Sequence, residues 1–222
     1  MQADRQMARI DLERSVGITA ALIHCEEHMA DVIRRVVTGH DRSGKAVVLA
    51  DGPATAVRTN PLRPGYKSTD IWKTTAMPVP IGREEADPTL GPRDFVPRFG
   101  TKIRISEIAP EPEAFRHLTP EQVREVFKAG GNERASTFGK DGRHPFMHRT
   151  ESVDYAVVLE GEITMLLDDQ DVVLKAGDVV IQRGTNHAWS NRSGKPVRML
   201  CILIDGRFEP KLTAYSHHQA QR

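Results

Sequence analysis

The stretch HPFMHRTESVDYAVVLEGE, from His144 to Glu162, contains two histidines at even spacing and then a carboxylate, Asp154. Alternate side chains of a β-strand point to one face, so a strand here would place His144 and His148 on the same face, about 13 Å apart. Imidazole nitrogens and carboxylate oxygens bind zinc, iron, manganese and nickel. The stretch therefore predicts either a divalent metal site or a metal-free polar cluster that holds an anionic or enolic ligand.

A second stretch, RGTNHAWSN, carries further polar candidates. His187 and Trp189 alternate in it, so a strand would place both on one face. Trp189 either stacks on a planar ligand or fills the core. Arg183 either binds a substrate carboxylate through two parallel hydrogen bonds or is a solvated turn arginine. This stretch therefore supplies candidates for binding an organic ligand as well as a metal.

Two other features of the sequence are better explained by structural roles than by catalysis or metal binding. The string HCEEH, residues 24–28, matches the H-x-x-E-H pattern of a class of zinc proteases, but a polar helix face without a metal is preferred because no third ligand is evident. The chain has 2 cysteines, Cys25 and Cys201, which give no disulfide framework. Cys201 lies in the apolar run MLCILI, which predicts a buried structural thiol. This cysteine usage favours a reducing, cytoplasmic setting.

The charge pattern excludes some partners. The 31 Lys and Arg residues nearly cancel the 30 Asp and Glu residues, so the electrostatic signature of a nucleic-acid-binding protein is absent. No apolar run is long enough to predict a membrane span, and the first residues lack a signal-peptide pattern. We therefore expect a small-molecule partner and neither a nucleic acid nor a membrane.

The elements that must position these candidates are mostly strands. From His144 to Asp205, short apolar runs alternate with the turn-forming segments EGE, DDQD, KAGD, RGTN and NRSGK, which predicts a β-sandwich or barrel. Before it, LTPEQVREVFKAGG predicts a helix with Thr119 and Gln122 as a capping box and Pro120 at its first position. The chain is therefore predicted to be all-β with one inserted helix.

The first half of the chain predicts fewer regular elements. Residues 8–33 show a loose apolar stripe typical of a helix, and residues 34–53 predict a hairpin with HDRSG at its turn. A further strand is expected around Trp72, followed by a loop over residues 78–100 that is rich in Pro, Gly and charge. In TKIRISEIA the alternating isoleucines predict a half-buried strand.

The first of two longer patterns begins and ends at a glycine. Gly142 precedes His148, Thr150 and Asp154, and Gly161 closes the segment at a tight turn. The second pattern is GDVVIQRGTNHAWSN, and the residues at its defining positions are Gly177, Gln182, Gly184, His187 and Asn191.

Together these patterns resemble the two motifs of the cupins, a family of small jelly-roll barrels. The resemblance covers roughly residues 100–207. It implies a cupin barrel over residues 101–207, an N-terminal helix and hairpin extension over 1–100, and a tail over 208–222.

The resemblance also implies a ligand set, with two departures from the family. Asp154 stands where cupins have a glutamate, and Thr150 stands where they have a second histidine. The candidate residues are Asp154 and His148 for catalysis, Thr150, Arg183 and Trp189 for ligand binding, and His148, Asp154 and His187 for the metal, with His144 in reserve.

A cupin with these residues is expected to bind a small oxygenated organic acid or ketone in the barrel. With a divalent Fe, Zn, Mn or Ni ion it would be a lyase, isomerase, decarboxylase or dioxygenase, since the fold does not choose among these reactions. The alternative is a metal-free cupin that binds a small molecule without catalysis. The N-terminal hairpin and the strand near Trp72 further suggest a homodimer.

Overall fold

The structure is a computed structural model that describes residues 32–83, 86–91, 94–139 and 143–212. The predicted N-terminal helix lies outside these residues except for its last two positions, and the HCEEH string lies outside them entirely. None of the helices in the described ranges has the length and apolar character needed to cross a bilayer.

The chain forms mostly strands. They are β1 Arg34–His40, β2 Ala46–Pro53, β3 Ala56–Thr59, β4 Tyr66–Lys73, β5 Thr101–Ile108, β6 Ser152–Glu160, β7 Glu162–Leu166, β8 Asp171–Lys175, β9 Val179–Arg183, β10 Ala188–Ser190 and β11 Val197–Asp205. The helical elements within the described ranges include the α-helix α1 (Pro120–Ala129) and two short 3-10 helices, Glu113–His117 and Glu133–Ala135.

Three antiparallel sheets organise these strands. β1 and β2 pair as a hairpin, β10-β7-β8 form a three-stranded sheet, and β3-β4-β5-β11-β6-β9 form a six-stranded sheet. The prediction of an all-β jelly roll is confirmed, and so is the hairpin. Since β3 and β4 belong to the six-stranded sheet, that sheet begins at Ala56 and not at the expected barrel boundary, residue 101.

The main core packs between the two larger sheets. Its fully buried members are Ile108, Ala156, Val158, Ile163, Met165, Leu174, Val197 and Met199. Helix α1 contributes to a smaller cluster, in which Val126 packs with Phe115 and Phe146. The predicted capping box is present, because Thr119 Oγ1 accepts from Gln122 N at 3.3 Å and Gln122 Oε1 accepts from Thr119 N at 2.9 Å. The helix is therefore fixed at its start by local chemistry and on one face by apolar packing.

Strand β5 buries the face opposite to the one that its isoleucines suggest. Lys102 and Arg104 are only 1% and 3% exposed, whereas Ile103 and Ile105 are half-buried. The charged side chains are tolerated inside because Arg104 lies beside Asp70 of β4 in the sheet register and pairs with it. The interior of the six-stranded sheet is therefore polar at this point.

The segment from His144 to Thr150 is not the strand that the sequence predicts. Met147 N donates to His144 O at 3.1 Å and closes a turn, and a single bridge joins His148 to His187. Pro145 has no N–H to donate to a strand ladder, which favours the turn. His144 and His148 are therefore not placed by strand alternation.

Candidate functional site

A cavity of about 120 Å³ opens inside the barrel. Its walls come from both larger sheets, from helix α1 and from the segments that connect them. Its polar lining residues are Thr59, Asn60, Arg63, Arg104, Ser106, His148, Asp154, Gln182 and His187, and its rings include those of Tyr66, Phe95, Phe127, Phe146 and Trp189. Of the predicted site residues, the cavity brings together His148, Asp154, His187 and Trp189.

His148 and His187 meet in this cavity. Their backbones exchange two hydrogen bonds, of 2.8 and 2.9 Å, and their ring centroids lie 4.2 Å apart. His148 Nδ1 lies 2.9 Å from Phe146 O, and His187 Nδ1 lies 3.0 Å from Thr185 O. Because a carbonyl oxygen only accepts, each Nδ1 carries the proton and each Nε2 keeps a lone pair.

Both histidines are held neutral. Burial lowers the pKa of His187 to about 4, and burial together with the neighbouring His187 lowers the pKa of His148 well below its usual range. Near neutral pH the pair therefore presents two acceptors to the cavity and no positive charge.

His144, the reserve candidate, is committed to a different set of contacts. Its Nδ1 accepts from Phe146 N at 3.1 Å, and its Nε2 donates to Glu111 Oε1 at 2.9 Å. Glu111 Oε2 also accepts from Ser190 Oγ at 2.8 Å. With both ring nitrogens in use, His144 offers no lone pair to a metal, and its role here is to fix the turn that carries Phe146.

Asp154 projects from β6 into the cavity and is only 9% exposed. Its Oδ1 atom has no hydrogen-bond partner in the part of the chain that the structure describes. Burial raises the pKa of Asp154 to about 6, although the Ser152 hydrogen bond and the charge of Arg104 act in the opposite direction. The site therefore contains a carboxyl group that titrates close to neutral pH.

Arg104 faces the same cavity from β5. Its Nε donates to Asp70 Oδ1 at 2.7 Å, but its buried Nη2 has no partner among the residues described. Sequence reasoning missed Arg104 because the isoleucine alternation of β5 suggested that this side chain was on the outer face. Two side chains that line the cavity thus each have a buried atom without a hydrogen-bond partner among the described residues. Arg104 Nη2 is a donor, and Asp154 Oδ1 is an acceptor.

The predicted three-residue metal site is not assembled. Within the described ranges, no group of three or more His, Cys, Asp or Glu side chains is placed to hold one ion. The two imidazoles fit a pair of metal ligands, but Asp154 does not join them, so the set His148, Asp154 and His187 does not fit as one site. Metal binding itself stays a prediction.

Comparison with known proteins identifies the family. A family model described as the cupin domain matches residues 137–203. The cupin-domain-containing oxidoreductase fogC of Aspergillus ruber is 30% identical over 187 residues, which cover 81% of this chain and 77% of that protein. The chain belongs to the cupin family.

Other relatives of this cupin match it over a smaller share of both chains. Phomopsin biosynthesis cluster protein D of Diaporthe leptostromiformis is 51% identical over 84 residues, which are 37% of this chain and 44% of that protein. Protein C' of the same cluster and species is 58% identical over 70 residues, 31% and 37% of the respective chains. The chain thus spans less than half the length of these two curated relatives. Among solved structures, a cupin superfamily protein of Desulfitobacterium hafniense is 15% identical, with a TM-score of 0.30, over 47% of this chain and 67% of that one.

The three predicted ligand-binding residues of this cupin lie in two different cavities. Trp189 lines the barrel cavity and meets His187 edge-on, with 5.6 Å between ring centroids. Thr150 and Arg183 line a second, outer groove of about 1190 Å³. Thr150 Oγ1 lies 2.8 Å from Ser152 Oγ. Of the three residues predicted for ligand binding, Trp189 is the one whose position suits a ligand in the barrel.

Cys201 also lines the cavity of this cupin. Burial raises the pKa of its thiol to about 12, so the thiol stays protonated near neutral pH. A protonated thiol is a poor nucleophile. The position supports the structural role that the sequence predicts.

Proposed function

We propose that this cupin binds a small oxygenated organic acid or ketone in the barrel cavity and that Asp154 moves a proton to and from it. The observation that carries the proposal is that Arg104 and Asp154 line one cavity, while Arg104 Nη2 and Asp154 Oδ1 have no hydrogen-bond partner among the described residues. A buried polar atom without a partner costs about 1–3 kcal/mol. A ligand that completes both contacts would recover that cost on binding.

The proposed chemistry is reversible enolisation. The Asp154 carboxylate takes a proton from the carbon next to a ligand carbonyl. The C–H electron pair forms a C=C bond, and the carbonyl π pair moves onto oxygen, where the Arg104 guanidinium stabilises the negative charge. Protonated Asp154 then returns the proton. Such a group works best when its pKa lies near the working pH, and the pKa of Asp154 is about 6.

The names of the relatives support an enzyme that acts on a small metabolite. Several are called oxidoreductases, and others are named as members of biosynthetic clusters. Keto–enol isomerisation, decarboxylation of a 3-oxo acid and elimination of water beside a carbonyl each proceed through an enolate, which is the species that the proposed step forms.

Hydrogen exchange tests the proposed proton transfer. Phenylpyruvate in deuterium oxide exchanges its C3 hydrogens through the enol, and proton NMR follows the loss of signal. We expect the wild-type protein to accelerate this exchange above buffer. Asp154→Asn should lower the catalysed rate by at least about 100-fold, because proton transfer by a positioned side chain contributes on the order of 10²–10⁴-fold. Asp169→Asn, at an exposed turn, is the matched control and should retain the wild-type rate.

Two outcomes would contradict the proposed reaction. One is a wild-type exchange rate equal to that of buffer. The other is an Asp154→Asn variant that is as active as the wild type.

A metal-dependent reaction at His148 and His187 is the second candidate, and the tautomers favour it. In each histidine Nδ1–H donates to a backbone carbonyl, the arrangement that orients a metal-binding imidazole and leaves Nε2 free. A divalent ion held there would act as a Lewis acid toward a carbonyl oxygen.

Metal analysis of protein purified without added metal tests this second candidate. We expect a divalent metal in wild-type protein and an affinity at least about 10-fold lower in both His148→Ala and His187→Ala, since even the groups that orient metal ligands contribute that much. His117→Ala, in the exposed part of a 3-10 turn, should leave the metal content unchanged. Equal metal content in all four proteins would exclude the histidine pair as the site.

A further inference from the structure

Arg63 is a second arginine of the cavity, and the backbone around it is well anchored. It lies in the turn between β3 and β4, where Arg63 N donates to Asn60 O at 2.9 Å and Tyr66 N donates to Arg63 O at 3.2 Å. Asn60 Nδ2 donates to Val126 O at 3.3 Å, which ties this turn to helix α1. The backbone position of Arg63 is therefore set by the fold.

Two aromatic rings hold the Arg63 guanidinium. Its central carbon lies 4.3 Å from the ring centroid of Tyr66 and 4.4 Å from that of Phe146, which is only 2% exposed. A guanidinium held against ring faces keeps its N–H edge free to donate in its own plane. The rings thus orient Arg63 without using its donors.

Arg63 makes no ion pair with any carboxylate that the structure describes. Glu111 acts on it only through its charge, since the Glu111 oxygens are engaged by His144 and Ser190. Burial lowers the pKa of Arg63, which reflects the cost of keeping this cation away from water. Arg104, by contrast, is balanced by Asp70.

The two arginines of the cavity therefore differ in how their charge is balanced: Arg104 pairs with Asp70, and Arg63 pairs with none of the described carboxylates. The charge of Arg63 also contributes to lowering the pKa of His148. The rest of the wall is rich in aromatic rings, which pack best on a planar ligand. A ligand with a flat ring and one negative charge matches both features.

We propose that Arg63 binds the carboxylate of the ligand, and that the cavity selects aromatic 2-oxo acids over the corresponding neutral ketones and esters. This inference rests on the proposed function, because it assigns the ligand carbonyl to Arg104 and Asp154 and the carboxylate to Arg63. Arg63 is a binding residue in this account and takes no part in the proton transfer. Planar guanidinium donors match both oxygens of a carboxylate, which a lysine cannot reproduce.

Calorimetric titration with phenylpyruvate and its methyl ester tests the inference. In the wild type we expect the acid to bind at least about tenfold more tightly than the ester, because hydrogen bonds between charged groups are the strong ones. Arg63→Met should remove this preference by weakening binding of the acid alone, and Arg63→Lys should keep part of it. Arg58→Met, at an exposed position of β3, should preserve the full preference.

The outcomes separate this inference from the proposed function. Equal wild-type affinity for acid and ester overturns the inference, while exchange at C3 of both compounds would leave the proposed function standing. A preference that survives in both Arg63→Met and Arg63→Lys also overturns it. Binding of neither compound, together with no exchange of either, overturns both proposals.

Discussion

Asp154→Asn is expected to make the folded protein about 3 kcal/mol more stable near pH 8. Folding raises the pKa of Asp154 from its ordinary 3.8 to about 6, so the buried carboxylate is less stable in the folded chain than in water. Asparagine has nearly the same shape and carries no charge at any pH. A residue that costs stability and is nevertheless aimed into a cavity is expected at a functional site.

The pH dependence of this effect has a defined sign. With a folded-state pKa above the unfolded value, the wild-type stability from Asp154 is fully present below about pH 3.8 and is lost as the pH rises through about 6. Urea unfolding of both proteins between about pH 4 and pH 8 should show a difference that grows with pH. A difference that is constant over this range would contradict the raised pKa.

Asp87 provides a control of opposite sign. Its pKa is lowered to about 2, chiefly by the hydrogen bond from Arg35, whose Nη2 lies 2.5 Å from Asp87 Oδ2. A lowered pKa contributes stability above the unfolded value, so Asp87→Asn should destabilise the protein near pH 8. Stabilisation by both substitutions would indicate a general effect of removing negative charge.

Arg104→Met is expected to cost about 3–5 kcal/mol of folding stability. After the substitution, Asp70 stays buried with Lys102 Nζ 3.6 Å away, and Lys102 already pairs with Asp94 at 2.5 Å. Removal of the cation that lies 2.7 Å from this buried carboxylate accounts for most of the loss. Chemical denaturation near neutral pH measures it.

Two further variants separate burial from simple loss of charge. Asp70→Asn added to Arg104→Met should recover part of the lost stability, because the buried charge is then removed as well. Arg34→Met breaks the exposed pair with Asp51, whose atoms are 2.7 Å apart, and should change stability little. If the two single arginine variants lost equal stability, burial of Arg104 would not be the cause.

Features set by local chemistry could be predicted from the sequence. The capping box of Thr119 and Gln122 forms because both partners lie within one turn of the helix. Gly161 stands at the predicted tight turn with φ of +80°, and Pro196 O would lie 2.8 Å from an added Cβ, so only glycine fits. The alternation of apolar runs and turn residues likewise indicated the strands from β6 to β11.

The site was predicted only in part because long-range contacts decide it. His148 and His187 were paired through the family motifs, and they do meet. Strand alternation failed at His144, where a turn replaces the strand, and at β5, where Asp70, distant in sequence but on the neighbouring strand β4, makes a buried Arg104 tolerable. Arg63 had no signal in the sequence, since a turn arginine resembles a solvated one until Tyr66 and Phe146 are seen around it.

A crystal structure of the protein with phenylpyruvate would show where the ligand binds. We expect the ligand in the barrel cavity, with its keto oxygen within about 3 Å of Arg104 Nη2 and its C3 carbon facing Asp154 Oδ1. Phenylpyruvate bound only in the outer groove beside Thr150 and Arg183 would contradict it. So would a barrel ligand that leaves both Arg104 Nη2 and Asp154 Oδ1 without a contact.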